Sequence, residues 1–187
     1  MFLFCSSQVS EIRVVSGGEP IERMISHWLE RNYPNGPTWY GRPAAEGPPL
    51  EIKMIPAFVD IEYNISNGGW AQFLWNCFAD WREVINVARE GYLLIGAPEQ
   101  SAALTELWTL CERDERECGE MHERANAKFE TKGTDGRSDV FGKFTRRSYL
   151  APSFDWEDVL CDDALHEKRS AWLAANEARL RAAMGLE

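Results

Sequence analysis

The sequence predicts an all-α protein, a compact bundle of antiparallel helices with two long loops. Two observations predict this class. Apolar side chains recur at helical spacing through most of the chain, and no pair of alternating segments indicates a β-hairpin. The 187 residues are 44% hydrophobic and 12% aromatic, which is enough to bury a core, so disorder of the whole chain is excluded. The length fits one domain, with or without an appendage.

Residues 1–49 are predicted to form an extension in front of a helical domain, which we assign to residues 50–187. Within the extension, residues 8–15 are equally compatible with a short strand and with a helical turn. The run PIERMISHWLERN, which opens with Pro20, places apolar residues at i, i+3, i+4, i+7 and i+8. This spacing predicts an amphipathic helix with proline at its first position.

Residues 32–49 are rich in proline and glycine and predict the first long loop. Trp39 and Tyr40 lie in this loop, and we expect them to pack on the domain. An alternative is that these aromatic side chains are exposed and bind a partner, in which case the chain is a structural domain recognised through this loop.

The helical domain is predicted from apolar periodicity and from the turn signals that interrupt it. Asn67-Gly68-Gly69 is typical of the end of a helix, and Pro56 is tolerated if it lies in a first turn. Residues 131–153 contain three glycines and one proline and predict the second long loop. The predicted helices are residues 55–65, 70–78, 81–95, 99–118 with an extension to 129 left open, and 162–184, after an arm that starts near 154.

The composition limits the class of partner. Asp and Glu number 30 against 20 Lys and Arg, which gives a net charge of −10 and a pI near 4.9. Such a chain is not expected to bind nucleic acid or a membrane directly, because phosphate contacts need clustered cations. No apolar run approaches the roughly 20 residues of a membrane span. We expect instead a basic protein partner.

The cysteines and the first residues predict a cytoplasmic protein. Five cysteines without a CxxC pair argue against a disulfide framework or a zinc ribbon, so we expect reduced, mostly buried thiols. The opening MFLF is only four residues long and lacks a basic n-region, so it is a poor signal peptide. No metal or other cofactor is expected.

The acidic residues are segregated along the chain. Residues 99–123 carry eight acids against two bases, and residues 155–167 carry six acids and no base. Residues 124–149 between them carry seven bases against three acids. The predicted partner-binding residues are Asp155, Glu157, Asp158, Asp162 and Asp163, followed by Glu112, Glu115 and Glu120.

Three segments resemble one known family. Residues 55–77, IPAFVDIEYNISNGGWAQFLWNC, combine an apolar helix that ends at Asn-Gly-Gly-aromatic with a following helix that carries an aromatic pair and an asparagine. This pattern resembles the DMP19-like (DUF4375) family. GYLLIGAPEQSAAL at residues 91–104 and the acidic stretch and last helix at residues 154–180 strengthen the resemblance, which covers roughly residues 50–183.

The resemblance implies a compact all-α fold of antiparallel helices. It also implies a function, because the family takes its name from a DNA mimic, an acidic dimer that occupies the DNA-binding surface of a transcriptional regulator. No catalytic residues come with the resemblance. We therefore expect a non-enzymatic acidic interaction protein whose partner is a basic, DNA-binding protein. The resemblance also allows a homodimer.

The turn at Asn67, Gly68, Gly69 and Trp70 allows a second interpretation. We interpret it as a tight structural turn in which glycine adopts a positive φ. Alternatively, its backbone N–H groups could form an anion-binding nest, and an enzyme or metal-dependent hydrolase could have its site there. The sequence contains none of the motifs GxSxG, HExxH, GxxxxGK[ST] and GxGxxG. Asp60 and Glu62 near the turn are expected to lie on the solvent-exposed face of their helix.

One helical stripe contains residue types that bind metals: Cys111, Glu115, Cys118 and His122. Four such positions span about 16 Å along a straight helix, so they cannot all bind one ion. At most Cys118 and His122 could donate a pair. Buried free cysteine that packs as a small apolar residue is the more usual interpretation.

Overall fold

The computed structural model describes residues 20–34, 40–42, 46–149 and 155–186, so residues 8–15 and Trp39 lie outside the described part. All regular elements in the described ranges are helical, which confirms the all-α prediction. None of the described helices is both long and apolar enough to cross a membrane. The elements are α1 (Ile21–Asn32), α2 (Leu50–Asn76), α3 (Trp81–Leu94), α4 (Pro98–Thr145), a 3-10 turn (Arg146–Tyr149), α5 (Asp155–Leu160) and α6 (Asp163–Ala183).

Helices α2, α3 and α4 pack against one another and form the centre of the molecule. The rings of Phe58 on α2 and Tyr92 on α3 stack with centroids 4.3 Å apart. Gly91 allows this close approach, because a Cβ atom there would lie 2.7 Å from Cβ of Met54 and 2.8 Å from the Phe58 ring. A side chain at position 91 would therefore force α2 and α3 apart.

Helix α2 is broken where the sequence predicted a break. Gly68 has a φ of −168° and Gly69 a φ of 69°, and the chain is helical before and after this pair, so two arms meet at this point. The first arm begins at Leu50, five residues earlier than predicted, and Pro56 consequently lies inside the helix rather than in its first turn. The earlier start is favoured because Ile52 and Met54 are fully buried in the core.

The prediction of a long loop over residues 131–153 is wrong for most of that range. Helix α4 continues to Thr145 and is interrupted only at Gly133, whose φ is 64°. The chain folds back there: Nζ of Lys128 lies 3.1 Å from Oδ2 of Asp139, whereas eleven residues of straight helix span about 16 Å. We call this feature the α4 hairpin, with arms at residues 98–132 and 134–145.

Tertiary packing explains why the second arm of the α4 hairpin is helical despite its glycines. Val140 and Phe144, four residues apart, are both buried. The Phe144 ring lies 6.5 Å from the Trp70 ring and 5.7 Å from the Trp75 ring, measured between centroids. Burying these side chains stabilises the arm by more than glycine destabilises it.

Helix α1 packs on the end of α6, although the sequence placed it in an extension. Ile25 and Leu29 are buried, and Nε1 of Trp28 donates a hydrogen bond to the carbonyl of Met184 at 2.8 Å. Helix α1 therefore contributes to the same core as the central helices. The predicted last helix is present as α6, and α5 is a separate short helix before it.

The four described cysteines carry free thiols. Cys77, Cys111 and Cys118 are buried and Cys161 is exposed. Burial raises the pKa of the Cys118 thiol to about 12, so the thiol stays protonated at neutral pH. Three of these thiols thus pack as small apolar groups.

Candidate functional site

The backbone N–H groups that follow the Gly68-Gly69 turn are hydrogen-bonded to side chains of the same chain. The backbone N–H of Trp70 donates to Oε1 of Glu157 at 3.1 Å, and the N–H of Ala71 donates to Oγ of Ser148 at 2.9 Å. These bonds satisfy donors that a helix N-terminus otherwise leaves unpaired. The amides that an anion-binding nest would offer are therefore already used by a carboxylate and a hydroxyl of the same chain.

Gly69 is required at this junction for a steric reason as well as a conformational one. A Cβ atom at Gly69 would lie 2.6 Å from Cβ of Ser148 and 3.0 Å from Oε1 of Glu157. The side chain of Asn67, by contrast, only donates back to the carbonyl of Tyr63 within its own helix, at 2.6 Å. The turn thus joins α2, the 3-10 turn and α5.

Glu157, which the sequence predicted as a partner contact, is not available to a partner. Its side chain is 8% exposed and caps the second arm of α2. Burial raises the pKa of the Glu157 carboxyl, and the hydrogen bond from Trp70 opposes that rise. The spacing contained a signal for this role, because Glu157 is three residues from the fully buried Leu160 and shares its helix face.

The other acids around the start of α6 are exposed, and we call Asp158, Asp162, Asp163 and Glu167 the acidic corner. None of the four forms an ion pair with another described residue. Oδ1 of Asp162 accepts a hydrogen bond from the N–H of Ala164 at 3.0 Å and so caps α6 while its charge faces solvent. The side chain of Asp155 lies outside the described part.

Arg169 follows the acidic corner in the sequence but does not neutralise it. Its side chain is buried, and Nη1 lies 2.7 Å from Oε2 of Glu62. Nε lies 3.0 Å from Oε1 of Glu22, an ion pair whose N–H is not aligned for a hydrogen bond. Arg169 therefore ties α1, α2 and α6 together and leaves the corner uncompensated.

The prediction that Asp60 and Glu62 lie on the solvent-exposed face of their helix is wrong. Glu62 faces Arg169, and burial raises the pKa of its carboxyl although Arg169 opposes the rise. Asp60 accepts a hydrogen bond from the hydroxyl of Tyr40 at 2.9 Å. Burial, with a contribution from the Asp80 carboxyl, raises the pKa of Asp60 to about 6 against the opposing effect of the Tyr40 bond.

Tyr40 packs on the domain, as the sequence predicted. Its side chain is 3% exposed, so this residue cannot serve as the exposed aromatic contact of the alternative interpretation. Nζ of Lys53 donates to the carbonyls of Tyr40 and Arg42 at 3.3 Å each and holds residues 40–42 against α2.

Two of the three partner-binding acids predicted on α4 are neutralised by arginines of the same chain. Both carboxylate oxygens of Glu115 accept hydrogen bonds from the Arg82 guanidinium, which lowers the pKa of Glu115. Glu120 pairs with Arg116 one turn away. Glu112 is exposed and forms no ion pair with a described residue. Only this member of the α4 group keeps an uncompensated charge.

The stripe of metal-binding residue types on α4 is engaged in packing. Cys111 and Cys118 are buried, and the ring of His122 stacks on Trp75 with centroids 4.1 Å apart. Nε2 of His122 lies 3.0 Å from the carbonyl of Trp75, and burial lowers the pKa of the imidazole. Within the described ranges, no three His, Cys, Asp or Glu side chains are placed to hold one metal ion.

The comparison with protein families agrees with this architecture. The family model described as DMP19-like protein matches residues 48–176. The chain belongs to the DMP19-like family. This confirms the resemblance drawn from the sequence, and the match includes the Gly68-Gly69 turn, the α4 hairpin and the acidic corner of this DMP19-like protein. No curated protein and no solved structure matches the chain.

Proposed function

We propose that this DMP19-like protein is a non-enzymatic interaction protein that binds a basic surface of a protein partner through its acidic corner. The observation that supports the proposal best is the exposure of four carboxylates at the junction of α5 and α6 without a counter-ion among the described residues. The net charge of −10 adds a long-range field of the same sign.

The surface recognised is that of a DNA-binding protein, and the acidic corner acts as a mimic of phosphates. Carboxylates three or four residues apart on a helix recur every ~5–6 Å. One strand of a duplex carries a charge every ~3.4 Å. Asp163 and Glu167, four residues apart on α6, have the helical spacing, and Asp162 lies at the N-cap of the same helix. The family's relation to a DNA mimic supports the proposal that the acidic corner mimics phosphates.

Capture from a native lysate at low salt tests the proposal. The immobilised protein is expected to retain basic proteins that duplex DNA or about 0.5 M salt releases, because both compete for the same electrostatic contacts. The D158N/D163N/E167Q variant should lose them. Asp162 is left in place, since it caps α6.

The matched control is the variant E30Q/E123Q/E130Q. It removes the same number of exposed carboxylates, none of which lies on α5 or α6. This control should still capture the partner. Equal capture by the wild type and the D158N/D163N/E167Q variant would contradict the proposal, and so would capture that neither DNA nor salt reverses.

A further inference from the structure

The α4 hairpin carries a groove of about 340 Å³ where its two arms meet. Its apolar lining comes from Met121 and Ala127 on the first arm and from Val140 on the second. Three cations line the same groove: Arg124, Lys128 and Lys143. The groove therefore combines apolar carbon with positive charge, on a chain whose net charge is −10.

The cations of the groove are only partly neutralised by the chain itself. Lys128 and Lys143 both donate to one oxygen, Oδ2 of Asp139, at 3.1 and 3.2 Å. Arg124 is exposed and forms no ion pair with a described residue. These contacts lower the pKa of Asp139, so it stays charged, and three cations face a single carboxylate. The rim retains a positive charge that a ligand can neutralise.

We propose that this groove binds an acidic amphipathic helix of a protein partner. A groove between two helical arms accepts the apolar side of a third helix, whose anchors repeat every three or four residues. The first arm lines the groove from Met121 to Lys128, about 10 Å or two helical turns. Glutamates beside the apolar anchors would reach Arg124, Lys128 and Lys143.

The net charge of the chain determines how binding at the groove depends on salt concentration. At low salt the field of −10 repels an acidic segment, so association is slow and the attraction acts only at short range. Moderate salt screens the repulsion more than the close contacts inside the groove. Binding at the groove should therefore tolerate salt, in contrast to binding at the acidic corner.

A fluorescent synthetic peptide of about 18 residues tests the proposal. It has leucine at i, i+4, i+7 and i+11, glutamate beside each leucine, and alanine elsewhere. We expect saturable binding to the full chain at physiological salt. The same peptide should bind several-fold more weakly with glutamine in place of glutamate, and at least tenfold more weakly with serine in place of leucine.

Substitutions in and outside the groove test whether the peptide binds there. A127E, which puts a charged side chain on the groove lining, should weaken binding at least tenfold, while A174E on an exposed face of α6 should not. R124E should weaken it several-fold, whereas R31E on α1, an equal change in charge, should leave it within twofold.

Several results would overturn the proposal. Absence of binding by the glutamate–leucine peptide would do so, as would equal binding by A127E and A174E. Two other occupants of the groove would each give a distinct experimental result. Dodecanoate binding without peptide binding would indicate a small amphipathic anion. A concentration-dependent dimer that A127E alone dissociates would indicate a second copy of the chain. Either result would replace the proposed helix.

Discussion

At the scale of single residues, the two glycines of the α2 break are not equivalent. Gly68 has an extended φ of −168°, and a Cβ there would meet mainly the flexible side chain of Gln72. Gly69 has a positive φ and backs onto Ser148 and Glu157. The sequence could predict that glycine is needed at this turn, but it could not distinguish the two positions.

We therefore predict that Gly69→Ala lowers the free energy of unfolding by about 3 kcal/mol, since strain at positive φ and a steric clash add together. Gly96→Ala is the matched control: its φ is 74° and, apart from its chain neighbours, no described residue lies within 4 Å of its Cβ position, so only the backbone strain of about 1 kcal/mol remains. Urea unfolding measures both. Equal costs for the two variants would show that the close approach to Ser148 does not matter.

Asp60 gives a second prediction at this scale. Its pKa is about 6 in the folded state against an ordinary value of 3.8, so the folded protein binds more protons than the unfolded chain between these values. Stability contributed by protonated Asp60 is fully present below pH 3.8 and is lost as the pH rises to about 6. At neutral pH the buried carboxylate destabilises the fold, by on the order of 3 kcal/mol.

Asp60→Asn keeps an acceptor for the Tyr40 hydroxyl but removes the charge. We expect the variant to equal or exceed the wild type in stability at pH 7 and to lose that advantage by pH 4. Chemical unfolding at several pH values measures the difference between the two proteins. Parallel pH profiles would mean that Asp60 titrates as it does in an unfolded chain.

At the scale of the elements, local signals located most helices but not their ends. Gly96 and Pro98, and the glycine pair at residues 68–69, mark helix ends in the sequence and in the structure. The same reasoning failed over residues 131–153, where only Gly133 of three glycines adopts a positive φ. The helical second arm depends on the packing of Phe144 against Trp70 and Trp75, which no local pattern reveals.

We predict that Phe144→Ala destabilises the protein by about 3–5 kcal/mol, as expected for a large buried aromatic. Phe129→Ala is the matched control on the other arm of the α4 hairpin, because Phe129 is 50% exposed and should cost less than about 1 kcal/mol. Denaturant unfolding provides the comparison. Similar costs for both variants would mean that the second arm is not part of the core.

The candidate site shows the same limit of sequence reasoning. The acidic segments were evident from the chain, but which charges remain uncompensated depends on contacts between distant residues. Glu115 is neutralised by Arg82, 33 positions earlier, and Arg169 is paired with Glu62, 107 positions away. Tertiary structure therefore removes Glu115, Glu120 and Glu157 from the predicted contact set and leaves the acidic corner as a group of uncompensated carboxylates.

At the scale of the whole molecule, two explanations of an electrostatic interaction have to be separated. The net charge of −10 attracts a basic partner that approaches any face of the molecule, whereas the acidic corner attracts a partner that approaches that one face. The variants D158N/D163N/E167Q and E30Q/E123Q/E130Q change the net charge equally, from −10 to −7. They differ in whether the carboxylates removed belong to the corner.

With a partner obtained by capture, we predict that the association rate falls by about tenfold or more between roughly 0.05 M and 0.5 M salt, because the Debye length becomes shorter than the separation of the approaching charges. The corner variant should associate more slowly and with a smaller dependence on salt, while the control variant should stay close to the wild type. Stopped-flow fluorescence over a range of salt concentrations measures both quantities. If the two variants slow association equally, net charge alone attracts the partner, and the contact surface is not the acidic corner.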